Sequence, residues 1–358
     1  MSARRVARVL LDSPLPQLDR LFDYEIPAGL ADAARPGVRV KVPLRSAGRV
    51  VEGYLVEVGE AADADRPLSA VDAVVSPVVV LPAALYRLAR RVADRAAGSA
   101  SDVLRLAIPR RMVRAEKVWA AAPAPEPVEV PAPQLAWARQ VLAAYPGLEA
   151  ALTAGERVAL DAPPRLVALP GGVPVGAWAV LLSAAAVAML AAGRSSILVV
   201  PDHRDQDQLA EALAARLPAE AVVRDDARRP APARYAAYLR VLADAPCVVI
   251  GNRSAVYAPA ARTGLVALWD DGDPLLAEPL SPGVHARDAA LVRQELDGGA
   301  LLVAGHTRTS DTERLVGLGW MRELAAARRE SPRVVLSPPA DGPAQARIPS
   351  AAFAAARE

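Results

Sequence analysis

The amino-acid sequence predicts a multidomain chain in which a small all-β unit and a basic helical region precede an α/β domain with a mostly parallel sheet. Three observations carry this prediction. Short β-rich runs separated by turn signals fill residues 5–60, the apolar period becomes helical from residue 82, and strand-like runs alternate with helical ones from about Leu135. With 358 residues, 53% of them hydrophobic, the chain is long enough to build two or three cores.

In the first unit the runs are VARVLLD, FDYEIP, RVKVPL and VVEGYLVEVG, broken at SPLPQ, AARPG and RSAGR, which is the spacing of a barrel or sandwich. LPAALYRLARRVADRAAG then carries apolar residues at helical spacing, and SASDVLRLAIP follows with Ser99 or Ser101 as its N-cap. Two such helices followed by the basic segment RRMVRAEKVW are the makings of a winged helix. The alternating prolines of AAPAPEPVEVPAP mark a linker. Beyond it, strands are predicted over 195–201, 221–224, 246–251, 265–271 and 300–305, with helices over 204–216, 231–243, 286–296 and 310–329, a doubly wound pattern. The last run, IPSAAFAAARE, stops inside a helical pattern, as the end of a fragment would.

Composition narrows the function classes. The lone Cys247 makes neither an internal disulfide nor a zinc site and reads as an inert residue of a buried strand, which points to a reducing compartment. No signal peptide begins the chain, so a cytoplasmic location is expected. The uncharged stretch from Leu166 to Gly193 is broken by prolines and glycines. Its continuous part, Trp178 to Ala192, would span only about 22 Å as a helix, and it reads as a buried helix rather than a membrane span.

The formal charge of +2 is unevenly shared. Residues 1–120 hold 19 Lys and Arg against 14 Asp and Glu, and the rest of the chain is net acidic. Nine cations between Arg87 and Lys117 suit a phosphate backbone, and they equally suit a solvated helix face.

The stretch LPGGVPVGAWAVLL is laid out like a phosphate-binding loop at the opening of a helix. Such a loop needs a lysine for the terminal phosphates and a hydroxyl for Mg²⁺. Here Gly172 and Gly176 flank the loop, Trp178 stands at the lysine position, Ala179 at the hydroxyl position, and Pro174 removes a donor. After the strand LVAL, where an ATPase carries a metal-binding aspartate and a glutamate, the chain reads Trp269, Asp270, Asp271, Gly272, Asp273. These acids also fit a strand end followed by an Asp/Gly turn.

The motifs LFDYEIP, GVRVKVP, VADRAAGSASDVLRLAIPRR, VVPDHRDQDQL, IGNRSAVYAP and HARDAALVR, in this order, resemble the N-terminal half of the PriA family of replication restart helicases. The resemblance covers nearly the whole chain. It implies a 3′-DNA-end binding domain over 1–80, a winged-helix region over 81–120, a linker over 121–134, a first RecA-like helicase lobe over 135–335, and the start of a following segment over 336–358. Where the family has GVTGSGKT, DEEH and GSATPS, this sequence has GVPVGAW, WDDG and GHTRTS, which resembles the actinobacterial forms expected to lack helicase activity. The family uses ATP, Mg and Zn. No cofactor is expected in this segment, and the zinc-binding insertion belongs to a second lobe.

By the same resemblance Phe22 stacks a terminal base, Asp23 accepts a hydrogen bond from the sugar or base with Tyr24 in support, and Arg39, Lys41 and Arg45 neutralise phosphates. Phe22 and Tyr24 also fit the core of a barrel. A family glycine corresponds to Arg45 here, and a pocket lysine to Ser69. Arg110, Arg111 and Arg114 are the candidates for duplex contacts, and Arg253 with Ser254 match a DNA-facing loop, kept for binding or for packing. The implied partners are forked DNA with a 3′ end, single-strand DNA-binding protein and helicase-loading proteins, with no membrane. The expected activity is fork binding without a motor; an active 3′–5′ helicase and a non-catalytic scaffold are the alternatives.

Overall fold

The computed structural model describes residues 5–45, 48–60, 67–328, 334, 348 and 350–357. Its first sheet is built from the alternating runs: β1 (Arg5–Leu11), β2 (Leu21–Glu25), β3 (Val38–Leu44), β4 (Arg49–Glu60) and β5 (Ala73–Val79), in the order β2-β1-β4-β3-β5. Every pairing is antiparallel. Alternate residues face one side, so Ala7, Val9, Leu11, Val38, Val40, Val42 and Leu55 close a core of their own. β4 runs to twelve residues because its earlier half pairs with β3 and its later half with β1. A Cβ on Gly53, near the changeover, would come 2.6 Å from the Leu10 carbonyl oxygen, so only glycine fits. β5 is a strand the sequence pattern does not announce, since Ser76 and Pro77 interrupt it; proline is tolerated because β5 is the sheet edge. Positions 46 and 47 of the RSAGR turn lie outside the described residues.

Three helices follow: α1 (Ala83–Arg95), α2 (Ala100–Ala107) and α3 (Val113–Ala121). Ser99 caps α2, its hydroxyl accepting the Asp102 N–H. Among the described residues of 81–120 there is no strand, so the wing expected from the sequence is not seen. The reason lies in where the apolar faces go. Leu85, Leu88 and Val92 of α1 and Val103 and Leu104 of α2 share one core with Ile197, Val199, Val249 and Leu301 of the second sheet, and with Leu10 and Tyr54 of the first. The two helices form a layer against both sheets, and a free-standing module would leave that surface in water.

The linker residues 122–131 have no regular structure, but Val128 and Val130 pack against the next core. Then come α4 (Ala132–Leu142), α5 (Leu148–Thr153), β6 (Arg157–Asp161), the hairpin β7 (Leu166–Ala168) and β8 (Pro174–Gly176), α6 (Ala177–Ala191), β9 (Ser195–Val199), α7 (His203–Ala214), β10 (Val222–Asp225), α8 (Ala231–Leu242), β11 (Val248–Gly251), β12 (Thr263–Trp269), α9 (Ala286–Asp297), β13 (Ala300–Gly305), α10 (Ser310–Gly317) and β14 (Arg322–Leu324). The seven-stranded sheet has the order β10-β11-β9-β12-β13-β6-β14. All its pairings are parallel.

Both faces of this sheet are buried, as parallel strands require. Leu198, Ile250 and Ala267 face Leu182, Val187 and Leu209, while their neighbours along the strands face the α1–α2 layer. α6 is buried nearly all round, and no helix of the described residues is long and apolar enough to cross a membrane. Cys247 is buried, and burial pushes its thiol up, which suits an inert packing residue.

One predicted helix is shorter than expected. The pattern over 310–329 ends at Gly317, the chain turns at Gly319 with φ 70°, and β14 adds beside β6. By contacts Met1–Ala327 is one compact unit and Arg328–Glu358 a second, whose described element is the short helix α11 (Ser350–Ala355). Residues 336–347, 349 and 358 of the expected following segment lie outside the described residues.

Candidate nucleic-acid interface and the loop at the sheet edge

Strand geometry divides the FDY triplet. On β2, Phe22 and Tyr24 lie opposite Val9 and Ala7 and turn toward the core of the first sheet, while Asp23 lies opposite Arg8 and turns outward. Tyr24 is buried, its hydroxyl donates to the Pro43 carbonyl at 3.2 Å, and burial raises its phenol. Phe22 is half-buried with the Arg20 guanidinium 4.4 Å above its ring. Asp23 is exposed, 3.8 Å from Arg8, which also binds Glu57 at 3.0 Å.

Of the neighbouring cations, Lys41 and Arg45 are exposed and Arg39 is not. Arg39 is buried at 8% exposure, donates to the Pro109 carbonyl at 3.3 Å and lies over Tyr54. It joins β3 to the end of α2 and does not face solvent as the sequence reading expected. Ser69 is half-buried, and its carbonyl accepts the Glu25 N–H, drawing the segment before β5 against β2.

The basic helical region divides the same way. Arg90 pairs with Asp19 and Asp94, Arg105 with Asp12 and Asp102, and Arg91 and Arg95 approach Glu295. Arg110 and Arg114 are exposed with no partner among the described residues. Arg111 grips Glu116 with two nitrogens, at 2.7 and 3.1 Å. Glu116 is 6% exposed and also accepts from Ser76 on β5 at 2.8 Å and from Tyr235 on α8 at 2.7 Å. Burial works against its charge; the hydrogen bonds from Arg111, Tyr235 and Ser76 together outweigh burial and hold the carboxyl below its ordinary range. Sequence reading missed this junction, because a glutamate inside a basic run looks like surface. Arg253 and Ser254 are likewise engaged, with Glu278 at 2.7 Å and Asp225 at 3.2 Å.

At the other candidate site, the loop before α6 is a hairpin that uses several of its own donors. Val167 pairs with Val175; the N–H groups of Leu169 and Gly172 bond to Val173 and Leu169. The Gly176 N–H donates to Gln208 Oε1 at 2.7 Å, and the Ala177 N–H to the Arg165 carbonyl at 2.9 Å. Trp178 is buried at 4% exposure and lies face to face with Trp269, ring centres 4.5 Å apart and planes 10° apart. His306, from the GHTRTS stretch, meets Trp269 edge-on at 4.9 Å, and its Nδ1 lies 3.0 Å from the Ala162 carbonyl. The three stretches that a nucleotide site would draw together thus meet as one ring cluster. A Cβ on Gly176 would fall 2.3 Å from the Trp178 Nε1, so glycine there makes room for the indole. Ala179 is fully buried.

The acids of WDDGD have separate fates. Asp271 is 4% exposed; one of its oxygens accepts from Thr309 and Thr312 at 2.8 Å and from Arg287 at 3.2 Å, tying the end of β12 to α9 and α10. Asp270 adopts φ 51°, and burial, with Asp273 and Asp271 beside it, raises its carboxyl.

Residues 8–109 match the family model of the PriA 3′DNA-binding domain. The chain is 40% identical over 359 residues to the probable replication restart protein PriA of Mycobacterium tuberculosis, an alignment covering 96% of this chain and 52% of that protein. It is 38% identical to the protein of the same description from Mycobacterium leprae, over 96% of this chain and 53% of the other. The replication restart protein PriA of Treponema pallidum is 35% identical over 109 residues, 30% of this chain and 16% of that protein. The chain spans about half the length of the mycobacterial relatives it matches.

Proposed function

Along nearly its whole length the chain matches the N-terminal half of PriA-type replication restart proteins, and from that premise we propose that it binds branched or forked DNA bearing a 3′ end without turning over ATP. In this reading Asp23, exposed on β2, accepts a hydrogen bond from the terminal nucleotide, Phe22 offers its half-open ring, and Lys41, Arg45, Arg110 and Arg114 meet phosphates. Tyr24, Arg39, Arg111, Arg253 and Ser254 hold the fold instead. Single-strand DNA-binding protein and helicase-loading proteins are the partners the same likeness proposes.

The observation that carries the loss of the motor is the Trp178–Trp269 stack, which fills with two indoles the place where a lysine and a metal-binding carboxylate would meet a phosphate. The residues do not fit a magnesium nucleotide: the N–H groups of Leu169, Gly172, Gly176 and Ala177 are spent within the protein, Ala179 brings no hydroxyl, and one oxygen of Asp271 is already taken by three donors.

Fluorescence anisotropy on a fork with a free 3′-hydroxyl, against the same fork with a 3′-phosphate, tests the DNA reading. The free end is expected to bind tighter, and Asp23→Ala to remove that preference. Equal binding of both forks would overturn 3′-end recognition, and ATP turnover stimulated by forked DNA would overturn the loss of the motor.

A further inference from the structure

At the opposite end of the parallel strands from the tryptophan pair lies an open cleft of about 830 Å³. Residues just before β9 and β12 and at the end of α9 wall one side, and the first turn of α1 walls the other. Its charge is one-sided. Arg87, Arg194, Arg262 and Arg293 line it against the single carboxylate of Asp297, and Asp297 is already paired with Arg293 at 3.1 Å.

The four arginines play different parts. Arg293 is structural: it donates to the Val256 and Ala258 carbonyls at 2.7 and 2.8 Å and holds the loop that forms one wall. Arg262 reaches exposed Asp244 at 3.3 Å. Arg87 and Arg194 have no hydrogen-bonded or ionic partner among the described residues. Arg194 is nevertheless placed, because its side chain runs along Gly264: a Cβ there would come 2.8 Å from both its Cβ and its Nε.

Two further features face the same way. α1 begins at Pro82 with no side-chain cap and no acidic residue in its first turn, and the Ala83, Ala84 and Leu85 N–H groups have no acceptor among the described residues. Tyr257, 3% exposed and on the cleft wall, has no hydrogen-bond partner there either.

We propose that this cleft is a phosphate-binding site, in which Arg87 and Arg194 grip a phosphate group against the uncapped start of α1. Guanidinium forks and free backbone N–H groups around an opening without a free carboxylate are the donor set that a phosphate's several acceptor oxygens satisfy. The phosphate comes either from a nucleic-acid backbone or from a free phosphorylated molecule. The site stands apart from 3′-end recognition and does not rest on it.

The test uses the whole chain and two probes: inorganic phosphate by titration calorimetry, and a fluorescent oligothymidylate whose 3′ end is blocked, by anisotropy across a salt series. Arg194→Gln and Arg87→Gln are the variants, and Arg87, exposed on α1, carries the test alone should Arg194→Gln fail to fold. Weakening of phosphate binding by about tenfold supports the site with a small ligand. A fall of about one in the salt slope of oligonucleotide binding supports it with a nucleic-acid backbone. Unchanged binding of both probes, or no binding of either by the unaltered chain, overturns it. The 3′-hydroxyl preference on a fork is expected to survive both substitutions, so loss of that preference in the unaltered chain bears on the proposed function and not on the cleft.

Discussion

The residues on which the proposed loss of a motor rests are few, and their chemistry is partly legible in isolation. The sequence places Trp178 at the opening of a helix; that its partner is another tryptophan, brought from β12, emerges only when α6 and β12 are packed. In the first turn of α7, Asp205 has its carboxyl pushed up to about 6 by burial and then by the charge of Asp202, with Asp270 and Asp273 adding to it. In the unfolded chain an aspartate titrates near 3.9. Between about pH 4 and 6 the folded state therefore holds a proton that the unfolded chain has released, and stability falls as pH rises through that window. The helix dipole favours a charge there by roughly 0.3–1 kcal/mol, less than a displacement from about 4 to about 6 represents. Asp205→Asn is accordingly expected to raise the urea midpoint at pH 7, with the advantage vanishing by about pH 4. A variant no more stable than the parent at pH 7 would show that the charge costs nothing.

At the scale of the element, α3 with the residues leading into it separates two kinds of arginine that look identical in RRMVRAEKVW. Arg111 turns in to Glu116, which Ser76 and Tyr235 hold from β5 and α8, so one carboxylate joins the first sheet, the basic helices and the parallel-sheet region. Arg110 and Arg114 turn out. The salt dependence of fork affinity is therefore expected to lose about one unit of slope with Arg114→Ala. Arg111→Ala should instead leave the slope alone and destabilise the fold by about 3 kcal/mol, because it strands a buried carboxylate. The reverse pattern, read by anisotropy against salt and by denaturant unfolding, would show that the helix presents its other face to DNA. The sequence announces a basic helix by composition. Which of its charges are free depends on elements far away in the chain.

For the molecule as a whole, the layer made by α1 and α2 is the consequential feature. Because Leu10 and Tyr54, the two helices and the parallel strands share one continuous core, the first sheet is expected to unfold together with the rest of Met1–Ala327. Hydrogen-exchange protection of the β1 and β3 amides and the fluorescence of the stacked tryptophans should be lost at the same denaturant concentration. Earlier loss of the β-sheet amides would mean that the shared core contributes little and that the DNA-binding unit is autonomous. A substitution at Leu104, buried in α2 and outside the lining of the proposed phosphate cleft, would then be expected to leave the first sheet intact; a shared core predicts that it does not.

The sequence by itself determined the β-rich opening, the strand and helix alternation of the parallel domain, the buried character of α6 and the chemical poverty of its loop, since each follows from local periodicity or from the presence or absence of a functional group. It did not disclose β5, broken by Ser76 and Pro77, nor the short α10 followed by β14, because an edge strand is stabilised by the sheet it joins rather than by its own pattern. Whether Phe22, Asp23 and Tyr24 share one face was settled by strand register, which sends alternate side chains to opposite sides. Burial, pairing and the meeting of Trp178 with Trp269 were decided by tertiary structure alone, because they depend on residues distant in the chain arriving at one place, a fact no local stretch contains.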